Sequence, residues 1–265
     1  RRDWLKNIVF QADLGSVYDK TERVAAIAEY LASETGAQQD LARRAAELSK
    51  SDLVTDMVGE FDDLQGVMGR DYALNDGENP EVAEALFEQY LPRFSGDIIP
   101  STNTGTALAL ADRLDSLMGI FSIGQQPSGS RDPFALRRAS LGVLRIMLEQ
   151  KIDLNLSDVL TYCNAQLNIG KRAKVSGQEL EKQVLTYVLE RFKSMYKEKG
   201  LPAEIFLSVA ALGLDNPLDI DARVSAVHKF TLLPEAASLA AANKRVSNIL
   251  NKQLSDQTAP LLTSE

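Results

Sequence analysis

The stretch that decides the fold is Thr106-Ala107-Leu108-Ala109-Leu110-Ala111-Asp112-Arg113-Leu114-Asp115-Ser116-Leu117-Met118-Gly119-Ile120-Phe121-Ser122-Ile123. It is apolar on nearly every side, so it reads as a central helix surrounded by others rather than a helix with one wet face. Its exceptions, Asp112, Arg113 and Asp115, carry charge into that core. A buried carboxylate needs partners, and Arg113 cannot serve both aspartates, so arginines must approach from other elements. The flanking sequence keeps helical periodicity. Leu14 to Thr35 sets Val17, Val24, Ile27, Ala28 and Leu31 at three- and four-residue spacing, with Asp19 and Thr21 as caps and Gly36 as the stop. Leu41 to Val58 reads as one further helix. Pro80 opens a helix from Glu81 to Leu91, and Asp132-Pro133 opens another that runs to about Gln150. Gln178 to Lys199 reads as one long helix ended by Gly200. Asp219 to Leu250 supplies two more, broken at Pro234, the second an alanine-rich helix suited to close packing on a neighbour. No two-residue alternation with paired turns occurs, so no sheet is predicted. The fold class is all-α. The dense core pattern of 106–149 gives way to shorter helices, which puts a boundary near 150 and divides the chain into 1–150 and 151–265.

Composition limits the chemistry. The chain has 265 residues, 45% of them hydrophobic and 25% charged, and no apolar run reaches the roughly 18 residues that a membrane helix requires. The start, Arg1 to Phe10, lacks the apolar stretch of a secretory signal, and a chain that begins at Arg1 reads as a piece of a longer protein. One cysteine, Cys163, excludes a disulfide framework and reads as a small buried hydrophobe. One histidine, His228, excludes any mechanism that needs two imidazoles, and it reads as structural beside Lys229.

The net charge of −8 hides an uneven distribution. Residues 1–130 hold 11 basic and 22 acidic side chains, residues 131–200 hold 13 and 8, and residues 201–265 hold 5 and 7. The middle third is therefore able to present a positive face on an acidic molecule, the alternative being an ordinary solvated surface. Arg131, Arg137 and Arg138 gather at a helix N-terminus, where phosphate contacts are favoured; the competing reading pairs Arg137 and Arg138 with Asp112 or Asp115. Lys171, Arg172 and Lys174 sit in a glycine-bounded loop, and Lys244 and Arg245 lie in the alanine-rich helix. The segment Gly124-Gln125-Gln126-Pro127-Ser128-Gly129-Ser130 mimics a nucleotide-binding loop but has serine where lysine is required and follows a helix, so it reads as a structural turn. Asp52, Asp56 and Glu60, at four-residue spacing, read as a solvated face rather than a magnesium site.

Several blocks together resemble the beta subunit of the bacterial two-subunit glycine–tRNA ligase. They are Leu64-Gln65-Gly66-Val67-Met68-Gly69-Arg70 with Tyr72-Ala73, Leu110 to Leu117 with Gly119-Ile120-Phe121, Asp132-Pro133-Phe134-Ala135-Leu136-Arg137-Arg138-Ala139 with Leu141 to Ile146, and Ala242-Asn243-Lys244-Arg245-Val246-Ser247-Asn248-Ile249-Leu250. The blocks fall in family order over nearly the whole chain. The resemblance implies a C-terminal portion of that subunit: a degenerate helical domain over 1–150 related to the histidine–aspartate phosphohydrolase fold, then a helical linker over 151–265 leading into the anticodon-binding region. It implies a cytoplasmic enzyme that joins glycine to tRNA(Gly) with ATP and Mg2+, in an alpha2beta2 assembly whose alpha subunit performs the activation. On that reading this segment is non-catalytic, binds no cofactor itself, and positions tRNA through Arg131, Arg137, Arg138, Lys171, Arg172, Lys174, Lys244 and Arg245. The ancestral metal site would sit at Ala45 to Lys50, at Asn75-Asp76 and at Asp112, and this chain lacks its histidines, so no metal is expected. The two rival readings are a metal-dependent phosphohydrolase and a scaffold that only docks other parts of the ligase.

Overall fold

The central helix runs from Asn103 to Ser122, and all of it is buried except Asn103, Asp112 and Ser116. In the computed structural model, which describes residues 1–168 and 170–257 (side chains of Lys171 and of 251–257 excepted), helices from both sides of it in the chain pack against it. In chain order the helices are α1 (Val17–Thr35), α2 (Gln39–Leu48), α3 (Asp56–Glu60), α4 (Val67–Asn75), α5 (Pro80–Glu88), the central α6 (Asn103–Ser122), α7 (Leu136–Glu149), α8 (Leu156–Gln166), α9 (Gly177–Leu189), α10 (Arg191–Glu198), α11 (Ala203–Ala210), α12 (Pro217–Thr231) and α13 (Ala236–Gln257). One continuous cluster of buried apolar side chains extends from Leu14 through α6 to Val224 in α12. The chain is all-helical, as its periodicity predicts, apart from a two-stranded antiparallel ribbon of Val9–Gln11 and Gly15–Ser16. Strands of three and two residues are too short to leave an alternating pattern.

Local caps explain the ends of the two longest core helices. Ser16 and Asp19 form a reciprocal capping box at the start of α1, and Gly36 closes it in the left-handed conformation. At the start of α6 the buried Glu88 carboxylate accepts from the Ser101 and Thr102 backbone N–H groups at 2.6 and 3.2 Å. A negative charge there complements the positive end of the helix. Glu88 approaches so closely that a Cβ at Gly105 would stand 1.9 Å from its Oε2, so only glycine fits.

Four expectations about helices need correction. The helix expected over Leu41 to Val58 breaks after α2, because Lys50 takes a left-handed conformation at φ 65°. This break also separates Asp52 from Asp56 and Glu60. Asp52 is buried and accepts from the Gly66 N–H at 2.6 Å, while the other two stay exposed. The long helix expected over Gln178 to Lys199 is two helices, α9 and α10. The helix α7 begins at Leu136 rather than at Pro133, and Ala135 before it is left-handed. Asp132 still caps the helix from a distance, since its carboxylate accepts from the N–H groups of Leu136 (2.8 Å) and Arg137 (3.0 Å). The alanine-rich α13 finds no close neighbour: after Ala236 its side chains through Leu250 are exposed.

The charges in α6 are satisfied from outside it, as burial requires, but by two lysines and a single arginine, Arg23, rather than by arginines throughout or by those of α7. Packing of α1 across α6 brings Lys20 Nζ to 3.1 Å from Asp115 Oδ2 and 2.8 Å from Ser116 Oγ. The same ammonium faces Asp112 Oδ1 at 3.1 Å, an ion pair rather than a directed hydrogen bond. Arg23 donates to Asp115 at 2.6 Å, and Lys50, delivered by its left-handed turn, stands 3.3 Å from Asp112 Oδ2. Removing one member of a buried ion cluster strands the others, at a typical cost of about 3 kcal/mol, whereas exposed pairs contribute under about 1 kcal/mol. Urea denaturation should therefore show Lys20→Met losing about 3 kcal/mol, and Arg43→Met, which breaks the exposed Arg43–Glu29 pair, losing less than about 1 kcal/mol.

Candidate nucleic-acid interface

The candidate cations converge on the loop that follows α6. Residues 124–131 turn back on themselves through paired backbone bonds between Ser128 and Arg131, at 3.0 and 3.2 Å. Arg137 donates to the Gly129 carbonyl from the first turn of α7. At the other end, the Lys174 and Val175 N–H groups donate to the Ser122 carbonyl at 2.8 and 3.1 Å, which satisfies an acceptor left free at the end of α6. The Lys174 stem lies over Gly124, where an added Cβ would stand 3.1 Å from its Cδ. The two basic segments, separate in sequence, thus bracket one loop. Arg131, Arg138, Arg172 and Lys174 are exposed, and Arg137 is half-buried. The Lys171 side chain lies outside the described residues. Lys244 and Arg245 stand apart, exposed on α13.

The ionic partnerships differ sharply between the two halves of the molecule. Before residue 131, every basic side chain except Arg1 and Arg113 lies within 4.0 Å of a carboxylate. Among the described residues of 131–200, with Lys171 and Arg172 set aside, only Arg145 and Arg191 do so. The reading that paired Arg137 and Arg138 with Asp112 or Asp115 does not hold, because lysines and Arg23 already occupy those carboxylates.

A second feature was not legible in the sequence. Between α7, α10 and the segment after α5 lies a cleft of about 610 Å³, with Arg137, Arg138, Arg145 and Lys199 around its rim. Two buried or half-buried arginines fix its wall. Arg113 donates to the carbonyls of Gln89 (3.1 Å), Tyr90 (3.1 Å) and Pro92 (3.2 Å). Burial draws its guanidinium down to about 10, against the pull of Asp112, so it stays charged at neutral pH. Arg145 donates to the Asp97 carbonyl at 2.8 Å. The only signal available beforehand was the seven-residue spacing of Arg138 and Arg145 on one helix face.

The remaining single residues carry no visible chemistry. Cys163 is buried, and burial pushes its thiol well above the ordinary range. His228 lies near the end of α12, and its Nδ1 is buried without a hydrogen-bond partner. Asp112, placed by resemblance in the ancestral metal site, does not fit a divalent ion. Both its oxygens already face ammoniums, which would repel a second cation. Asn75 and Asp76 are exposed at the end of α4. Among the described residues no group of three or more histidine, cysteine, aspartate or glutamate side chains is disposed to hold a metal, and no helix is long and apolar enough to cross a membrane.

Comparison with known proteins gives concordant matches. A family described as the glycyl-tRNA synthetase beta subunit matches residues 1–211. The glycine–tRNA ligase beta subunit of Marinobacter nauticus is 54% identical over 256 residues, which are 97% of this chain and 36% of that protein. That of Chromohalobacter salexigens is 52% identical over 97% of this chain and 37% of its own length. A Pseudomonas fluorescens counterpart is 52% identical over 94% of this chain and 36% of its own. The chain spans little more than a third of the length of these curated relatives.

The charge arrangement fixes an acid limit to stability. Burial alone would raise the Asp112 carboxyl, but Lys20 and Lys50 hold it below the usual range, and the Arg93 hydrogen bond holds Asp97 down at about 2. A depressed carboxyl contributes stability that is complete above its unfolded value, about 3.9, and is lost as pH falls through the folded one. Urea midpoints should stay level from neutrality to about pH 5 and fall steeply below about pH 4. Asp112→Asn should lower the neutral midpoint and flatten that acid fall.

Proposed function

The chain belongs to the glycyl-tRNA synthetase beta subunit family, and from that premise we propose that it serves as a tRNA-positioning segment of a glycine–tRNA ligase. The observation that carries this reading is the set of cations without carboxylate partners, Arg131, Arg137, Arg138 and Lys174, gathered around one loop of a chain whose net charge is −8. Folding has paired nearly all the basic residues of 1–130 with carboxylates and has left Arg131, Arg138 and Lys174 exposed without such partners. A folded acidic protein with such a patch suits a polyanion, which releases condensed counterions when its phosphates meet Lys and Arg.

In this role the side chains act by charge and place. Arg131 and Lys174 meet phosphates at the two ends of the loop, Arg137 and Arg138 extend the track along α7, and Arg172 adds to it. Lys244 and Arg245 on α13 form a separate, smaller contact. These contacts set register and carry little base specificity. The bond-making chemistry, with its ATP and Mg2+, is assigned to the alpha subunit, and the assembly to alpha2beta2. The sequence holds a single histidine, and among the described residues no group of three or more histidine, cysteine, aspartate or glutamate side chains is disposed to hold a metal, which disfavours the phosphohydrolase alternative. The scaffold alternative predicts no RNA contact at the patch.

The test is the salt dependence of tRNA binding by fluorescence anisotropy. Each phosphate contact contributes a slope of about −0.9 for duplex regions in a plot of log affinity against log salt. The double variant Arg131→Gln with Lys174→Gln should weaken binding and reduce the slope by about two. An unchanged slope, or tRNA binding that does not respond to salt, would contradict the reading.

A further inference from the structure

The cleft beside α7 differs in kind from the loop patch. Its rim carries Arg138 and Lys199, both exposed and neither within 4.0 Å of a carboxylate among the described residues. Its interior is apolar, with Leu141, Leu148 and Met195, and Phe94 stands at its edge with 60% of its surface exposed. The segment that carries the ring is held in place, and the Arg93 guanidinium lies 5.8 Å from the ring centroid. Arg145 reaches the Phe94 carbonyl at 3.5 Å and the Asp97 carbonyl at 2.8 Å, and Arg93 binds the Asp97 carboxylate at 2.8 Å. The cleft volume of about 610 Å³ lies in the range that takes a ligand of nucleotide size.

We infer that this cleft captures an unpaired nucleotide, with its base stacked on Phe94 and its phosphates held by Arg138 and Lys199. A flat π-face beside cations is the arrangement that binds single-stranded nucleic acid, where stacking is tolerant of base identity and the cations follow the backbone. An apolar peptide helix fits less well, because charged groups line the rim and Glu149, one of its two acids, is already paired with Arg145. The inference rests on the tRNA reading above but makes a separate claim: the loop patch meets phosphates of any RNA, and the cleft meets only nucleotides free of a duplex.

The experiment compares two probes on the full 265-residue chain, a fluorescein-labelled oligoadenylate hexamer and a blunt RNA duplex of equal charge. Phe94→Leu keeps an apolar side chain but removes the ring, and should weaken the hexamer about tenfold while leaving the duplex unchanged. Phe94→Tyr should restore hexamer binding. Lys199→Gln, which spares the loop patch, should weaken the hexamer and lower its salt slope while leaving the duplex unchanged. Hexamer binding that survives Phe94→Leu would overturn the nucleotide assignment while leaving the tRNA reading intact, provided both probes still respond to Arg131→Gln with Lys174→Gln. Failure of both probes to bind would overturn both readings, whereas failure of the duplex alone, with hexamer binding that depends on Phe94, would overturn only the loop patch. Folding of Phe94→Leu is checked by its urea midpoint, which an exposed position should leave unaltered.

Discussion

The rest of the structure depends on two carboxylates placed inside an apolar helix. Asp112 and Asp115 would be strongly destabilising alone in the core of α6, so the fold must bring cations to them. Lys20 and Arg23 come with α1, and Lys50 arrives through a backbone turn that no continuous helix would make. The cluster therefore sets the register of α1 against α6 and the break after α2. Arg113, on the same helix, instead turns towards backbone carbonyls and fixes the path after α5.

That internal neutralisation has an external consequence. The first 130 residues hold twice as many acids as bases, and the bases are almost all consumed in ion pairs. Most bases of 131–200, Lys171 and Arg172 set aside and Arg145 and Arg191 excepted, have no such claim on them. They emerge around the loop after α6 and along α7 and α10, on a surface braced by Ser122, Asp132 and Arg145 rather than by carboxylate contacts at the exposed cations themselves. The same side chains that cost little to leave in water are available to a polyanionic partner.

Much of this was legible in the sequence, and the limits have physical causes. The all-helical class, the central position of α6 and the need of its aspartates for outside partners follow from spacing and burial. Which cations answered that need did not follow. Lys20 has the spacing of a solvated helix residue, and Lys50 has the look of an ordinary helix-terminal lysine, because periodicity reports faces and not the ions that meet across them. Asp52 was misplaced for the same reason, since the turn at Lys50 breaks the register that had aligned it with Asp56 and Glu60. The basic segments around 131 and 172 were visible as composition, but only the hydrogen bonds to Ser122 and Gly129 bring them together. The Phe94 cleft was invisible, because an irregular segment leaves no pattern from which to place its side chains.

The central claim is that the unpaired cations of 131–200 form the polyanion-facing surface. Lysine acylation footprinting by mass spectrometry, with and without tRNA bound, tests it most directly. Lys174 and Lys199 should be protected by tRNA, while Lys6, exposed and paired with Asp3, should react equally in both states. Protection confined to lysines before residue 131, with Lys174 and Lys199 unaffected, would contradict the account.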